Sequence, residues 1–374
     1  MTLVDLGRAQ ADCGSKAHGL GRLLRSGAHV PPGFVVLDDP DPDEVAQAMA
    51  RLTGPFAVRS SGLAEDTAAA SFAGQLETVL GVVGVDQALA AIATCRASGR
   101  SSRARAYASR MQAPVESHVP VIVQQLVPAD LAGVAFTQDP RSGARAVAIE
   151  AAWGLGESVV SGRVVPDAFT LVDGGEIETT TGSKATRLDH REGALRRTAV
   201  AAADRRRPVL SAEQAREVAE AALRAEAVHG TVVDVEWAIA GGTLWLLQVR
   251  PITGVIGPRE RPEAPVGDAI VQGVGASPGR VSGRVRVVRD LDGFGAVEPG
   301  DVLVCRTTDP AWTPLFGIAA AVVTETGGAL SHAAIVAREL GIPAVVGADG
   351  ARARLAGMEW VVVDGDHGTV SSAP

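Results

Sequence analysis

Lysine is nearly absent from this 374-residue chain: of 35 basic residues only Lys16 and Lys184 are lysines. With so much alanine, glycine and arginine, the composition suits a GC-rich genome in which arginine serves wherever it can. Each remaining lysine is then either a chance survivor or a position needing a compact ammonium head, not a planar fork. Both follow a Gly-Ser pair. Cysteine is scarce too. Cys13, Cys95 and Cys305 are odd in number, widely spaced and without metal-ligand spacing, which argues against a disulfide framework and fits a reducing cytoplasm. No apolar run approaches the roughly 18 residues of a membrane span, and Met1-Thr-Leu-Val-Asp-Leu6 does not read as a signal peptide. Positive charge is not in excess. A net charge of −8 disfavours nonspecific binding to nucleic acid or anionic membrane. With 46% hydrophobic and 21% charged residues, the chain is globular and long enough for two or three domains.

Local patterns organise the chain. Residues 14–26 read as a helix with Leu20, Leu23 and Leu24 on its apolar side, stopped by Pro31-Pro32-Gly33. Strands are expected at Phe34–Leu37, Phe56–Ser60 and Val119–Val127, a loop at Asp38–Asp43, and helix from about Val85 to Met111. Residues 211–228 form the clearest helix, with Ser211 and Gln214 spaced as a capping box. Strands Val232–Ile239 and Leu244–Val249 flank Gly241-Gly242. The proline-rich, charged segment near 257–265 reads as a linker, and the domain boundary is placed near 255–267. Beyond it come short valine-rich strands and one helix, Ser331–Leu340, ended by Gly341 and Pro343. No internal repeat is evident.

Two places carry chemistry. In the hairpin, a two-residue loop would set Glu236 opposite Leu247. A three-residue loop, Gly241-Gly242-Thr243, pairs Glu236 with Gln248. It also gathers Asp234, Glu236, Gln248 and Arg250 on one face and leaves Val235, Trp237, Ile239, Trp245, Leu247 and Val249 on the other. A carboxylate, an amide oxygen and an arginine together suit Mg²⁺ bound to phosphate oxygens. A solvated polar hairpin face is the bland alternative. Arg59 and Lys16 could meet the same phosphates if the fold brings them there.

The second place is Thr326-Gly-Gly-Ala-Leu-Ser-His332, which follows strand Ala320–Thr324 and opens a helix. The positive end of a helix dipole favours neutral, nucleophilic imidazole and receives anions. Gly327-Gly328 would let a large ligand approach the backbone closely. The bland alternative is a capping or packing histidine, and the other six histidines read as surface residues.

These segments resemble the phosphoenolpyruvate synthase and pyruvate phosphate dikinase family, most of all its rifampin phosphotransferase branch. The resemblance rests on residues 14–37, Val58–Asp66, Ser71–Thr78, Gln124–Pro128, Asp234–Trp237, Leu247–Thr253 and Gly327–Gly347. It implies an α+β and α/β architecture: an ATP-grasp domain over 1–255, a linker over 256–267, and a swivelling β/β/α phosphohistidine domain over 268–374. By the same resemblance Lys16, Arg59, Thr78, Gln124, Leu126, Glu236, Gln248 and Arg250 would bind the nucleotide. Gln124 and Leu126 would lie on the adenine side, and Glu236 and Gln248 would hold Mg²⁺. His332 would attack the β-phosphorus of ATP, releasing AMP, then lose its outer phosphate to water or phosphate and pass on the remaining phosphoryl group.

The chain also departs from the family. The 12 residues of 256–267 leave no room between the two domains for an acceptor-binding domain, and the segment between residues 37 and 59 looks short. The plant regulatory threonine, two residues before the histidine, is Leu330 here. The expectation is a cytoplasmic phosphotransferase acting on a small-molecule acceptor such as a secondary metabolite or antibiotic, with Thr307–Pro314 as a candidate acceptor loop through Asp309 and Trp312. One alternative is the ATP and phosphohistidine subunit of a split phosphoenolpyruvate synthase, working with a separate acceptor-binding protein. A non-catalytic ATP-sensing module is a weaker alternative, because every chemistry-bearing position is intact.

Overall fold

The structure, a computed structural model, describes residues 2–63, 77–99, 119–172, 176–252 and 268–373. The linker 256–267, residues 71–76 of the glycine-loop segment and the expected helix beyond residue 99 lie outside the described residues.

Among the described residues two large antiparallel sheets and a two-stranded one, Thr186–Arg191 with Ala194–Ala199, build the first unit. The smaller of the large sheets has strand order Leu3–Asp5, Gly33–Val36, Val121–Gln125, Phe56–Ser60, Thr78–Val82. Helices Pro42–Met49 and Val85–Ser98 cover one face through Val45, Met49, Ile92 and Cys95. The expected loop at Asp38–Asp43 ends early, because Asp41 caps the Asp43 N–H and Pro42 opens a helix at a position where its missing N–H costs nothing.

The larger sheet runs Thr243–Pro251, Val233–Ala240, Leu131–Phe136, Val147–Trp153, Asp167–Leu171, Ile177–Thr180. Three of its strands, Leu131–Phe136, Val147–Trp153 and Val233–Ala240, alternate side chains between two faces. Leu131, Ala135, Ile149, Ala151, Val235 and Trp237 face helices Ser15–Arg25 and Ala212–His229. Ala132, Val134, Phe136, Ala148 and Ala152 face the other way. The longer helix carries the expected capping box: Ser211 Oγ accepts the Gln214 N–H at 3.1 Å and Gln214 Oε1 accepts the Ser211 N–H at 3.0 Å.

The second unit is an eight-stranded sheet. Its parallel centre comprises Arg280–Val287, Val302–Cys305, Ala321–Thr324 and Ala344–Val346. One side of the sheet packs on helix His332–Leu340 through Leu303, Val322, Ala333 and Val336. The sheet's own strands Trp360–Asp364 and Thr369–Ser372, hydrogen-bonded on beyond Arg280–Val287, pack Val361, Val363 and Val370 against its other side. Ser331 precedes the helix, and Gly341 ends it at φ 66°, the left-handed value that favours glycine. This is the expected ATP-grasp fold followed by a β/β/α unit.

Candidate active site

The hairpin pairs Glu236 with Gln248, as expected, but by a different route. Ala240 pairs with Thr243, so the loop is the two-residue Gly241-Gly242, with φ of 55° and 80°. The register is recovered by a bulge: Trp237 pairs with Leu246, and Leu247 is the extra residue. Consequently Leu246, not Leu247, joins the core with Trp237, and Trp245 and Leu247 turn to the polar side. The expected clean sorting of faces therefore fails at these two residues.

Lys16, Arg59, Thr78, Gln124, Leu126, Glu236, Gln248, Arg250 and His332 all line one cavity of about 470 Å³. Gly14, at φ 84°, lets the start of helix Ser15–Arg25 lie against the loop after strand Phe56–Ser60. A Cβ there would meet the Ser61 carbonyl oxygen at 1.7 Å. Ser61 Oγ accepts the Ala17 N–H at 3.0 Å, which seats Lys16 at the cavity wall. From the end of its strand Arg59 spans both sheets. It donates to Glu236 Oε2 at 2.8 Å, Gln248 Oε1 at 2.5 Å and the Leu247 carbonyl at 2.9 Å. Arg250 is held by Asp234 at 2.7 Å. Burial pushes the Glu236 carboxyl up, but Arg59, Arg250 and Lys16 outweigh it and hold the group below the ordinary carboxylate range.

Glu236 and Gln248 thus present two hard oxygens side by side. Among the described residues no group of three or more His, Cys, Asp or Glu could enclose a metal. A two-oxygen donor set fits Mg²⁺, which takes most of its ligands from water and substrate phosphates. Also in the cavity wall, Gln124 Nε2 donates to the Pro31 carbonyl at 2.8 Å. Leu126, whose N–H is committed to the Pro55 carbonyl at 2.8 Å, lines the cavity too.

His332 enters the same cavity from the second unit. It is buried, and its Nδ1 lies 3.3 Å from the Thr308 hydroxyl, with the Phe316 ring edge-on at 6.4 Å. The glycines before it do not face open space for a ligand. A Cβ on Gly328 would lie 2.3 Å from both Glu150 carboxylate oxygens, and one on Gly327 would lie 3.6 Å from the Gly162 Cα. What approaches Gly328 so closely is the first unit itself, whereas Gly327 is met first by Ser331 of its own unit.

Residues 42–265 match the family model for the pyruvate phosphate dikinase AMP/ATP-binding domain, and residues 297–368 that for the PEP-utilising enzyme mobile domain. The chain belongs to the phosphoenolpyruvate synthase and pyruvate phosphate dikinase family. It is 39% identical over 318 residues to the probable phosphoenolpyruvate synthase of Methanothermobacter thermautotrophicus, covering 84% of this chain and 46% of that one. It is 40% identical to the corresponding probable synthase of Archaeoglobus fulgidus over 84% of this chain and 43% of that one. For the phosphoenolpyruvate synthase of Escherichia coli K12 the identity is 37%, over 93% and 48%. The chain spans about half the length of the curated relatives it matches.

Other residues of this family member stand where sequence reasoning did not place them. Glu157, from the start of a short helix, and Arg163 line the cavity. Burial pushes the Glu157 carboxyl up, against Arg163. The segment Trp153-Gly-Leu-Gly-Glu157 carried a signal in its paired glycines. Lys184 is no phosphate ligand. It is fully buried and paired with Asp167 in the scaffold. Trp312 belongs to no acceptor surface: it packs in the core, edge-on to Phe294 at 5.1 Å. Asp309 and Ala311 of that loop do reach the cavity, whereas Thr307 contacts the Ser161 and Gly162 carbonyls. His229, expected at the surface, is half-buried, with its Nε2 out of reach of solvent. Burial pushes it down to about 4, beside Arg22.

Proposed function

We propose that this chain performs the phosphohistidine half-reaction of a dikinase-type phosphotransferase, with His332 as the nucleophile. The observation that carries the reading is that His332 and Thr308 share one cavity with the Arg59, Glu236 and Gln248 cluster of the ATP-binding unit. The triphosphate would lie among Lys16, Arg59, Thr78 and Arg250, and the purine toward Gln124 and Leu126. Glu236 and Gln248 would hold Mg²⁺, which when bound neutralises phosphate charge. Thr308 can accept the hydrogen bond of an Nδ1–H, the tautomer that keeps a lone pair on Nε2.

Attack of Nε2 on the β-phosphorus breaks its bond to the α,β-bridging oxygen, so that AMP departs and a pyrophosphoryl group stays on His332. Its outer phosphoryl group passes to water or phosphate. The remaining one goes to an acceptor after the unit swings away. The domain division 1–255, 256–267 and 268–374 and a cytoplasmic location belong to the same reading. Among the described residues no helix is long and apolar enough to cross a membrane.

For the acceptor, the resemblance to the rifampin branch supports a small molecule. A second reading is favoured by the relatives, which are named phosphoenolpyruvate synthases. In it the phosphoryl group goes to pyruvate held by a separate acceptor-binding protein or region. The test is incubation of the pure chain with Mg-ATP, following nucleotides and intact mass at neutral to alkaline pH. AMP with an acid-labile mass gain, both absent from His332→Ala, is expected. ADP alone, or undiminished AMP from the variant, would discard the mechanism.

A further inference from the structure

The sheet face that bears Glu236 continues beyond the cavity. Glu236 pairs with Val134 and Val134 with Glu150, so the two carboxyl groups lie in one row, two strands apart. Alternation sets Ala148, Glu150 and Ala152 on the side where Leu330 and Ile335 of the second unit pack. Glu150 is 4% exposed in this apolar seam. Its Oε1 accepts the Leu330 N–H at 3.2 Å, and its Oε2 has no hydrogen-bond partner. The remaining contacts of the loop run to backbone: Gly327 N–H to the Val164 carbonyl at 3.0 Å, and the Thr326 hydroxyl to the Gly162 carbonyl at 2.6 Å. Ionised, a half-satisfied carboxylate destabilises an apolar seam; neutral, it can accept from the Leu330 amide at a far smaller cost of burial. Glu150 is also the ionisable acceptor that the first unit directs at the residues just before His332.

We propose that Glu150 is a proton-operated latch on the second unit. Neutral, it holds the loop before His332 against the ATP-binding sheet; ionised, it favours opening of the seam and withdrawal of His332 from the cavity. The inference rests on the reading of the second unit as one that swings.

The surrounding charges support this role. Arg141 is bound through two contacts to Asp139, at 3.1 and 2.9 Å. Arg338, with Glu339 beside it, is committed to the Ala276 and Ala329 carbonyls at 2.8 and 2.7 Å. Neither arginine forms an ion pair with Glu150 among the described residues. Burial therefore prevails over the Leu330 and Ala329 amides and both arginines, and pushes the Glu150 carboxyl up to about 7. Once the seam opens, water returns the group to the ordinary carboxylate range. A group raised in the docked state favours docking fully below its ordinary pKa, and this advantage is lost as pH rises to about 7. Across that window docking weakens by roughly tenfold per pH unit.

The test is hydrogen exchange of the Leu330 amide in the full chain without nucleotide, from pH 5 to 8, corrected for the intrinsic pH dependence of exchange. Wild-type protection is expected to fall with pH and level off above 7. Glu150→Gln, which keeps the acceptor but not the ionisation, should give a flat, protected profile. Glu150→Ala should give a flat profile with less protection, and serves if the glutamine variant does not fold. A flat wild-type profile, or a slope that survives in either variant, overturns the latch. His332→Ala should keep the wild-type slope. A wild-type slope without AMP formation would leave the latch standing and sink the phosphotransfer reading, and AMP formation with a flat profile would do the reverse.

Discussion

Lys184 provides the sharpest test of how the scaffold behind the site is held. Lys184 and Asp167 are both fully buried and paired. Asp167 Oδ1 also accepts the Gly182 N–H at 2.8 Å, and its Oδ2 accepts the Val209 N–H at 2.7 Å. The ammonium has a second partner in the Gly182 carbonyl at 3.0 Å. Lys184→Met removes the cation and strands a carboxylate that two neutral amides cannot compensate. Breaking a buried pair from one side costs about 3–5 kcal/mol. For a unit of this size that is a fall in Tm of about 6–20 °C. Asp167→Leu should cost at least as much, since it strands the ammonium and leaves the buried Val209 amide without an acceptor at about 1–3 kcal/mol, and the half-buried Gly182 amide as well. The double variant should recover part of the loss, because apolar residues replace the pair but not the amide acceptors. Thermal and denaturant unfolding of the four proteins gives the coupling. A Lys184→Met protein within about 1 kcal/mol of wild type, a loss typical of an exposed pair, or singles that simply add, would refute the assignment.

Other changes probe the site. Thr308→Val removes the hydroxyl at His332 Nδ1 and should slow phosphohistidine formation roughly tenfold, the equivalent of one hydrogen bond; burst-phase mass spectrometry reads this, and an unchanged rate would dismiss the positioning role. Glu236→Ala should raise the Mg²⁺ needed for ATP turnover while leaving the protein folded, so normal turnover at limiting Mg²⁺ would discard the metal assignment. The ionised Glu236 carboxylate is stabilised by Arg59, so its contribution is in place above the ordinary carboxylate range and lost as pH falls through its depressed pKa. Arg59→Met should therefore move acid unfolding to higher pH. An unmoved midpoint would show that the other cations suffice.

Much of the site was legible because its parts announce themselves locally. Glycines before Lys16, the arginine ending a short strand, the polar positions of the hairpin and the Gly-Gly entry to His332 are each a departure from the surrounding apolar sequence. The hairpin reading reached the right pair by the wrong turn, because a longer loop and a bulge shift the register identically and sequence alone does not separate them. Trp312 looked available for stacking because a loop residue gives no sign of the core beneath it. Glu150 did leave a trace, as the single charge in Val147-Ala-Ile-Glu-Ala-Ala-Trp153. Its meaning depends on a neighbour almost two hundred residues away. Strands Leu131–Phe136 and Val147–Trp153 do not stand out in the sequence, being buried on both faces, where alternation disappears from the pattern.

The bulge at Leu247 has a consequence for how such a chain tolerates insertion and deletion. Removing that one residue would leave Glu236 opposite Gln248 and Trp237 opposite Leu246, an uninterrupted ladder with the same polar pair. It would also remove the carbonyl that receives the Arg59 guanidinium at 2.9 Å. The irregular residue thus adds a third oxygen to the arginine's grip, from a peptide group and not from any side chain. A one-residue deletion here would conserve every motif and still loosen the joint between the two sheets.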